Sequence, residues 1–162
     1  MACPVEDLRE FLLGSWRISR RIYDARLGLR GHLEGSAAFT PSPGGLVYEE
    51  AGRLRFGAYE GEAAQRFRFA IEPGAAATVH RADGSLFHRL ELSSGTADIV
   101  HDCGADRYCG RYRVLDEDRL RIVWHVTGPR KRYRMTTLHW RVSALPGAAG
   151  EGAMRTTGIA SA

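Results

Sequence analysis

The chain has 162 residues and a formal net charge of +4, with 44% hydrophobic and 26% charged residues. That size and balance describe one globular domain with a core of its own, needing neither a disulfide nor a metal staple. No run of about 18 apolar residues offers a transmembrane helix, and MACPVEDLREFLLGSW lacks the regions of a signal peptide, so the expected location is cytoplasmic, without a membrane partner.

Val5, Leu8 and Leu12, with Phe11 and Leu13 filling the stripe, predict a helix over 5–13 bounded by Pro4 and Gly14. From Ser15 the period drops to two, and Trp16, Ile18 and Ile22 alternate with Arg17, Ser19 and Arg21. Short alternating segments follow, giving strands near 15–23, 30–40, 46–56, 62–71, 75–80, 86–92, 96–103, 107–115, 119–126 and 131–142. Turn chemistry separates them: PSPGG at 41–45, EPG at 72–74, ADG at 82–84, SSG at 93–95, CGAD at 103–106, DED at 116–118 and GPRK at 128–131. Turn signals about every ten residues, with no helical pattern between them, predict an all-β fold. Its form is an antiparallel up-and-down β-barrel of about 8–10 strands with a short N-terminal helix. Closure removes exposed strand edges, and a barrel of that size can hold one small ligand. The domain covers 1–145, and the Gly/Ala-rich stretch 146–162 is expected to be a flexible tail.

Lys131 is the single lysine among 23 basic residues. The arginines recur at alternating strand positions (Arg66, Arg68, Arg111, Arg113, Arg119, Arg121), as an outer solvated face requires, and no nucleic-acid partner is implied. Cys3, Cys103 and Cys109 form no metal pattern. Cys103 and Cys109 flank a hairpin loop, across which they could face each other, with a reduced pair favoured over a bridge. The densest cation cluster, GPRKRYR at 128–134, reads either as a solvated hairpin tip or as a rim patch attracting carboxylates or acyl phosphates.

The stretch HDCGADRYCGRY, 101–112, carries the most chemistry. One alternation sets His101, Tyr108 and Tyr112 on the inner face beside Cys103. On 86–92 the face of Leu86, Leu90 and Leu92 takes His88 inward. Strand 46–56 turns Leu46, Tyr48 and Glu50 inward, 62–71 offers Phe67, Phe69 and Ile71, and 119–126 offers Leu120, Ile122, Trp124 and Val126, leaving His125 outside. The last strand allows two phases: Tyr133, Met135, Thr137 and His139 share one face, Leu138 and Trp140 the other. Asp102 points away from His101, Asp106 reads as a turn former, and His32 and His80 as surface positions.

FLLGSW at 11–16 is similar to the Gly-x-Trp start of calycin barrels, namely lipocalins, fatty-acid-binding proteins and nitrobindin-like proteins. That resemblance implies a tryptophan closing the barrel base under an arginine from a late strand, here Arg141 or Arg134. FLLGSWRISRRI, LRFGAYEGEAAQRFRF, SLFHRLEL, HDCGADRYCGRY and GPRKRY together resemble the bacterial family called domain of unknown function 6314, over about 11–141. The resemblance implies a calycin-like barrel and no activity.

The expected lumen is apolar and aromatic with a few polar groups, the make-up of a small-molecule pocket. The first expectation is a binding module whose ligand meets Tyr48, Glu50, Phe67, Phe69, Leu90, Cys103, Trp124 and Tyr133. The alternative is a cofactor-independent acid–base isomerase, cyclase or dehydratase. There His101 and His88 transfer the proton, and Tyr108 or Tyr112 donates to an oxyanion. A third reading, implied by nitrobindin-like barrels, is haem held by one inward histidine; otherwise no cofactor is expected. A metal triad of His88 and His101 with Glu50 or His139 has spacing too loose to favour. Each inward histidine also reads as a satisfied core residue, and Cys103 as hairpin packing. The implied partner is a small-molecule ligand or substrate, and the surface leaves room for a homodimer.

Overall fold

The computed structural model describes residues 1–142; the tail assigned to 146–162 lies outside them. Ten antiparallel strands follow one short helix, α1 (Leu8–Leu12). The strands are β1 (Gly14–Asp24), β2 (Leu29–Ser42), β3 (Gly45–Phe56), β4 (Tyr59–Ile71), β5 (Ala76–Arg81), β6 (Leu86–Glu91), β7 (Thr96–Cys103), β8 (Asp106–Asp116), β9 (Arg119–Thr127) and β10 (Arg132–Arg141). Each pairs with its sequence neighbours except β6 with β7, and β1 also pairs with β10, so the sheet runs β6-β5-β4-β3-β2-β1-β10-β9-β8-β7. The two sheet ends, β6 and β7, come side by side without a ladder, leaving a nearly closed barrel with one seam.

The helix is shorter than its apolar stripe suggests. Asp7 caps it, its Oδ1 accepting from the Glu10 N–H at 2.9 Å. Upstream, the Val5 N–H donates instead to the Leu92 carbonyl and the Cys3 N–H to the Val114 carbonyl. The chain before α1 therefore straps the seam at one end of the barrel. The strap presses on Gly95, at φ +80°, where an added Cβ would stand 2.4 Å from the Cys3 carbonyl oxygen.

Leu8 and Leu12 plug that same end, with Trp16 beside them, all essentially fully buried. The Trp16 Nε1–H donates to the Leu12 carbonyl at 2.8 Å. Arg141, not Arg134, is the late-strand partner: its guanidinium lies 4.3 Å from the Trp16 ring and donates to the Phe11 and Leu13 carbonyls. At the opposite end, where β5, β7 and β9 stop and β6, β8 and β10 begin, no described residue forms such a plug.

Register settles the ambiguous last strand. Ile18 faces His139 and Arg20 faces Thr137, so Tyr133, Met135, Thr137 and His139 share the inner face. Two details differ from expectation. Leu86 is 56% exposed, because a bulge against β5 pairs Val79 with His88 and His80 with Leu86, leaving Phe87 as the extra residue. Cys103 and Cys109 do not face each other, since Cys103 pairs with Asp106 and Cys109 with Val100; all three cysteines are free.

Candidate functional site

The barrel encloses a cavity of about 300 Å³ that reaches the unplugged end. Tyr48, Glu50, Phe67, Phe69, His88, Leu90, Tyr108, Tyr112, Trp124 and Tyr133 all line it, as their strand phases require. His101 does not line it. It is half-buried and packs edge-on against the Phe87 ring at 5.3 Å, while His88 meets the same ring at 4.8 Å. Phe87 thus separates the two imidazoles expected to act together. Cys103 is exposed at the β7–β8 tip, outside the cavity, because its strand has run past the lumen by that residue.

Two polar clusters face the lumen from different walls. On the β1–β3–β10 side, Arg20 donates to both Glu50 oxygens at 2.7 and 2.9 Å and from Nε to Thr137 Oγ1 at 2.7 Å. Burial pushes the Glu50 carboxyl up, but the Arg20 guanidinium outweighs it and holds the group below its ordinary range. The ionised carboxylate accepts the Tyr48 hydroxyl proton. That leaves His139 Nε2, 2.9 Å from the Tyr48 oxygen, to donate, which fixes the tautomer and leaves Nδ1 as a buried acceptor without a partner. Burial lowers the His139 imidazole to about 4, so it is neutral near pH 7.

On the β6–β8 side His88 Nδ1 lies 3.3 Å from the Arg89 carbonyl and donates to it. Its Nε2 accepts the Tyr112 hydroxyl at 3.1 Å. Burial lowers His88 to about 4 and raises the Tyr112 phenol, so this pair is neutral too. Between the clusters runs a row of nearly parallel rings. Tyr48–Phe67, Phe67–Phe87 and Phe87–Trp124 have interplanar angles of 27°, 14° and 28°. Gly110 makes room for the last ring: a Cβ there would lie 2.6 Å from Trp124.

At the unplugged end Lys131 pairs with Asp106 at 2.8 Å and donates to the Tyr108 oxygen at 3.2 Å. Arg81 lies 4.6 Å over the Phe87 ring and donates to His101 Nε2 at 3.3 Å. Among the described residues, no group of three or more His, Cys, Asp or Glu is placed to hold a metal ion.

Sequence reasoning missed Arg20, Gln65, Arg81 and Phe87 as lining residues. For three of them the signal was present. Arg20 shares parity with Trp16, Ile18 and Ile22, Gln65 with Phe67 and Phe69, and Arg81 with Val79. Phe87 needed knowledge of the bulge.

One family model matches residues 12–141. The chain belongs to DUF6314, a family of unknown function. No curated protein matches this DUF6314 chain in sequence. Among solved structures it is similar to the S-type phycobiliprotein lyase CPES of Guillardia theta. That match has a TM-score of 0.60 at 7% identity and covers 84% of this chain and 91% of the lyase. It is also similar to a DUF3598 protein of unknown function from Nostoc punctiforme, with a TM-score of 0.58 at 14% identity, covering 87% of this chain and 51% of the other. At these identities the likeness is one of fold alone: an antiparallel β-barrel.

Proposed function

We propose that this DUF6314 protein binds one small, largely apolar or aromatic organic molecule in its barrel. The observation that carries the reading is the cavity of about 300 Å³, walled by the aromatic row and open at the end away from α1. Apart from His139 Nδ1, the polar groups of each cluster are hydrogen-bonded within it, so a guest desolvates mainly apolar surface. The phycobiliprotein lyase shares the fold alone, and the ligand class rests on the lining of this chain.

The His88–Tyr112 hydrogen bond favours a second reading, the cofactor-independent acid–base enzyme, with His88 as base and Tyr112 as the proton donor it already contacts. Haem draws less support, because the histidine nitrogens nearest the lumen already have roles. His88 has both nitrogens engaged, His139 has Nε2 on Tyr48 and Nδ1 buried, and His101 Nε2 accepts from Arg81.

The test is a fluorescence titration with the neutral probe N-phenyl-1-naphthylamine. The wild-type chain gives a saturable, blue-shifted enhancement, and Met135→Trp, which fills the lumen from β10, abolishes it while the chain stays folded. Undiminished binding by Met135→Trp contradicts the reading. Turnover of a candidate substrate that His88→Gln lowers by orders of magnitude, with binding retained, establishes the enzyme instead.

A further inference from the structure

Charge is distributed unevenly around the cavity. Arg20 and Arg81 are its only lining arginines among the described residues. Arg20 is held by both oxygens of Glu50, so that pair adds no net charge to the lumen. Lys131, at the same end as Arg81, is neutralised by Asp106. Arg81 has no such partner: among the described residues it forms no ion pair, and its contacts are the Phe87 face and the neutral acceptor His101 Nε2. Asp83, two residues on, is taken by the Ser85 N–H and hydroxyl at 2.9 and 2.6 Å. The excess positive charge of the lumen therefore sits on one guanidinium at its open end, half-buried against an aromatic wall where solvent screening is reduced.

The aromatic row passes beside this guanidinium at its two middle rings. Arg81 faces Phe67 across the β4–β5 ladder and lies over Phe87, which stacks in turn on Trp124. A ligand lying against Phe67 and Phe87 brings its outer end to Arg81. A guanidinium in that place matches a carboxylate in charge and in its fork of donors. The other end of the ligand meets Glu50, whose oxygens already accept from Arg20 and Tyr48.

We propose that the ligand is a planar aromatic monocarboxylate, its ring laid along Phe67, Phe87 and Trp124 and its carboxylate at the open end on Arg81. The inference rests on the lumen-binding reading above and names the chemical class of the guest. The cation that meets the ligand in the lumen is then Arg81 on β5, while Lys131 of the 128–134 turn is already paired with Asp106.

The test is calorimetry at neutral pH and low salt with 2-naphthoate, its neutral isostere 2-naphthamide, and 2-naphthylmethylamine. The wild-type chain binds naphthoate roughly tenfold or more tightly than naphthamide, as a charge-assisted hydrogen bond implies. Arg81→Gln removes that preference, so that naphthoate binds no more tightly than naphthamide. Arg81→Glu reverses the order in favour of the amine, a gain that loss of structure cannot mimic. Equal affinity of the wild-type chain for naphthoate and naphthamide, or a preference that survives Arg81→Gln, overturns this inference while the lumen reading stands. Failure of all three compounds to bind the folded wild-type chain overturns both.

Discussion

Phe87 and Trp124 stack with ring centroids 5.2 Å apart, although β6 is one end of the sheet and β9 lies near the other. Side chains thus join what the backbone ladder leaves open at the β6–β7 seam. The stack depends on Gly110, over which the Trp124 ring lies.

Gly110→Val is expected to push Trp124 off that seat, costing about 1–3 kcal/mol through overpacking. Urea unfolding reads the loss, and tryptophan emission shifts to the red as the indole meets water. Unchanged stability and emission would show that Trp124 is not seated on Gly110.

Removing one partner of the Arg20–Glu50 pair strands the other. Arg20→Met leaves a buried carboxylate without its cation and is expected to cost about 3–5 kcal/mol. The double variant Arg20→Met with Glu50→Gln recovers most of that loss in chemical denaturation. A double variant no more stable than the single would mean that the pair is not coupled.

Acid sensitivity follows from the buried imidazoles. His88 and His139 titrate at about 4 in the folded chain and near 6.5 unfolded, so between these values the unfolded chain binds more protons and stability rises with pH. Falling pH therefore weakens the fold progressively from about 6.5 to about 4. The Glu50 contribution is present above its ordinary range and is lost only as pH drops through its lowered pKa. The urea midpoint should decline from pH 7 to 4, and His139→Phe should flatten the decline. An unchanged slope in that variant would place the proton uptake elsewhere.

Arg141 ties the plug to the barrel through the Phe11 and Leu13 carbonyls and the Trp16 face. Arg141→Leu is expected to cost about 2 kcal/mol from the lost charge-assisted hydrogen bonds. Arg141→Lys recovers only part, since a point charge cannot span both carbonyls. Amide hydrogen exchange at Leu12 and Leu13 should rise in step, and protection there equal to wild type would contradict the tie.

The barrel was legible because its turns are. PSPGG, ADG, SSG and CGAD each mark a strand reversal, and Trp16, Ile18 and Ile22 announce period two at once. Inner residues followed wherever apolar neighbours set the phase, as Leu120 and Ile122 do for Trp124. Parity fails where the ladder slips, so Leu86 and Phe87 exchanged roles at the bulge. The helix start was hidden because Val5 is apolar whether it joins a helix or a strap, and only Asp7 marks the boundary. Arg20 and Arg81 escaped notice for another reason. An arginine at an inward position looks like an outer residue until its partner or its cavity is known, and Glu50 lies 30 residues away.

The most direct measurement is a crystal structure of the chain soaked with N-phenyl-1-naphthylamine. The account predicts density for the probe inside the barrel, against Phe67, Phe87 and Trp124. A lumen filled by its own side chains, or a probe bound only on the outer face, would contradict it.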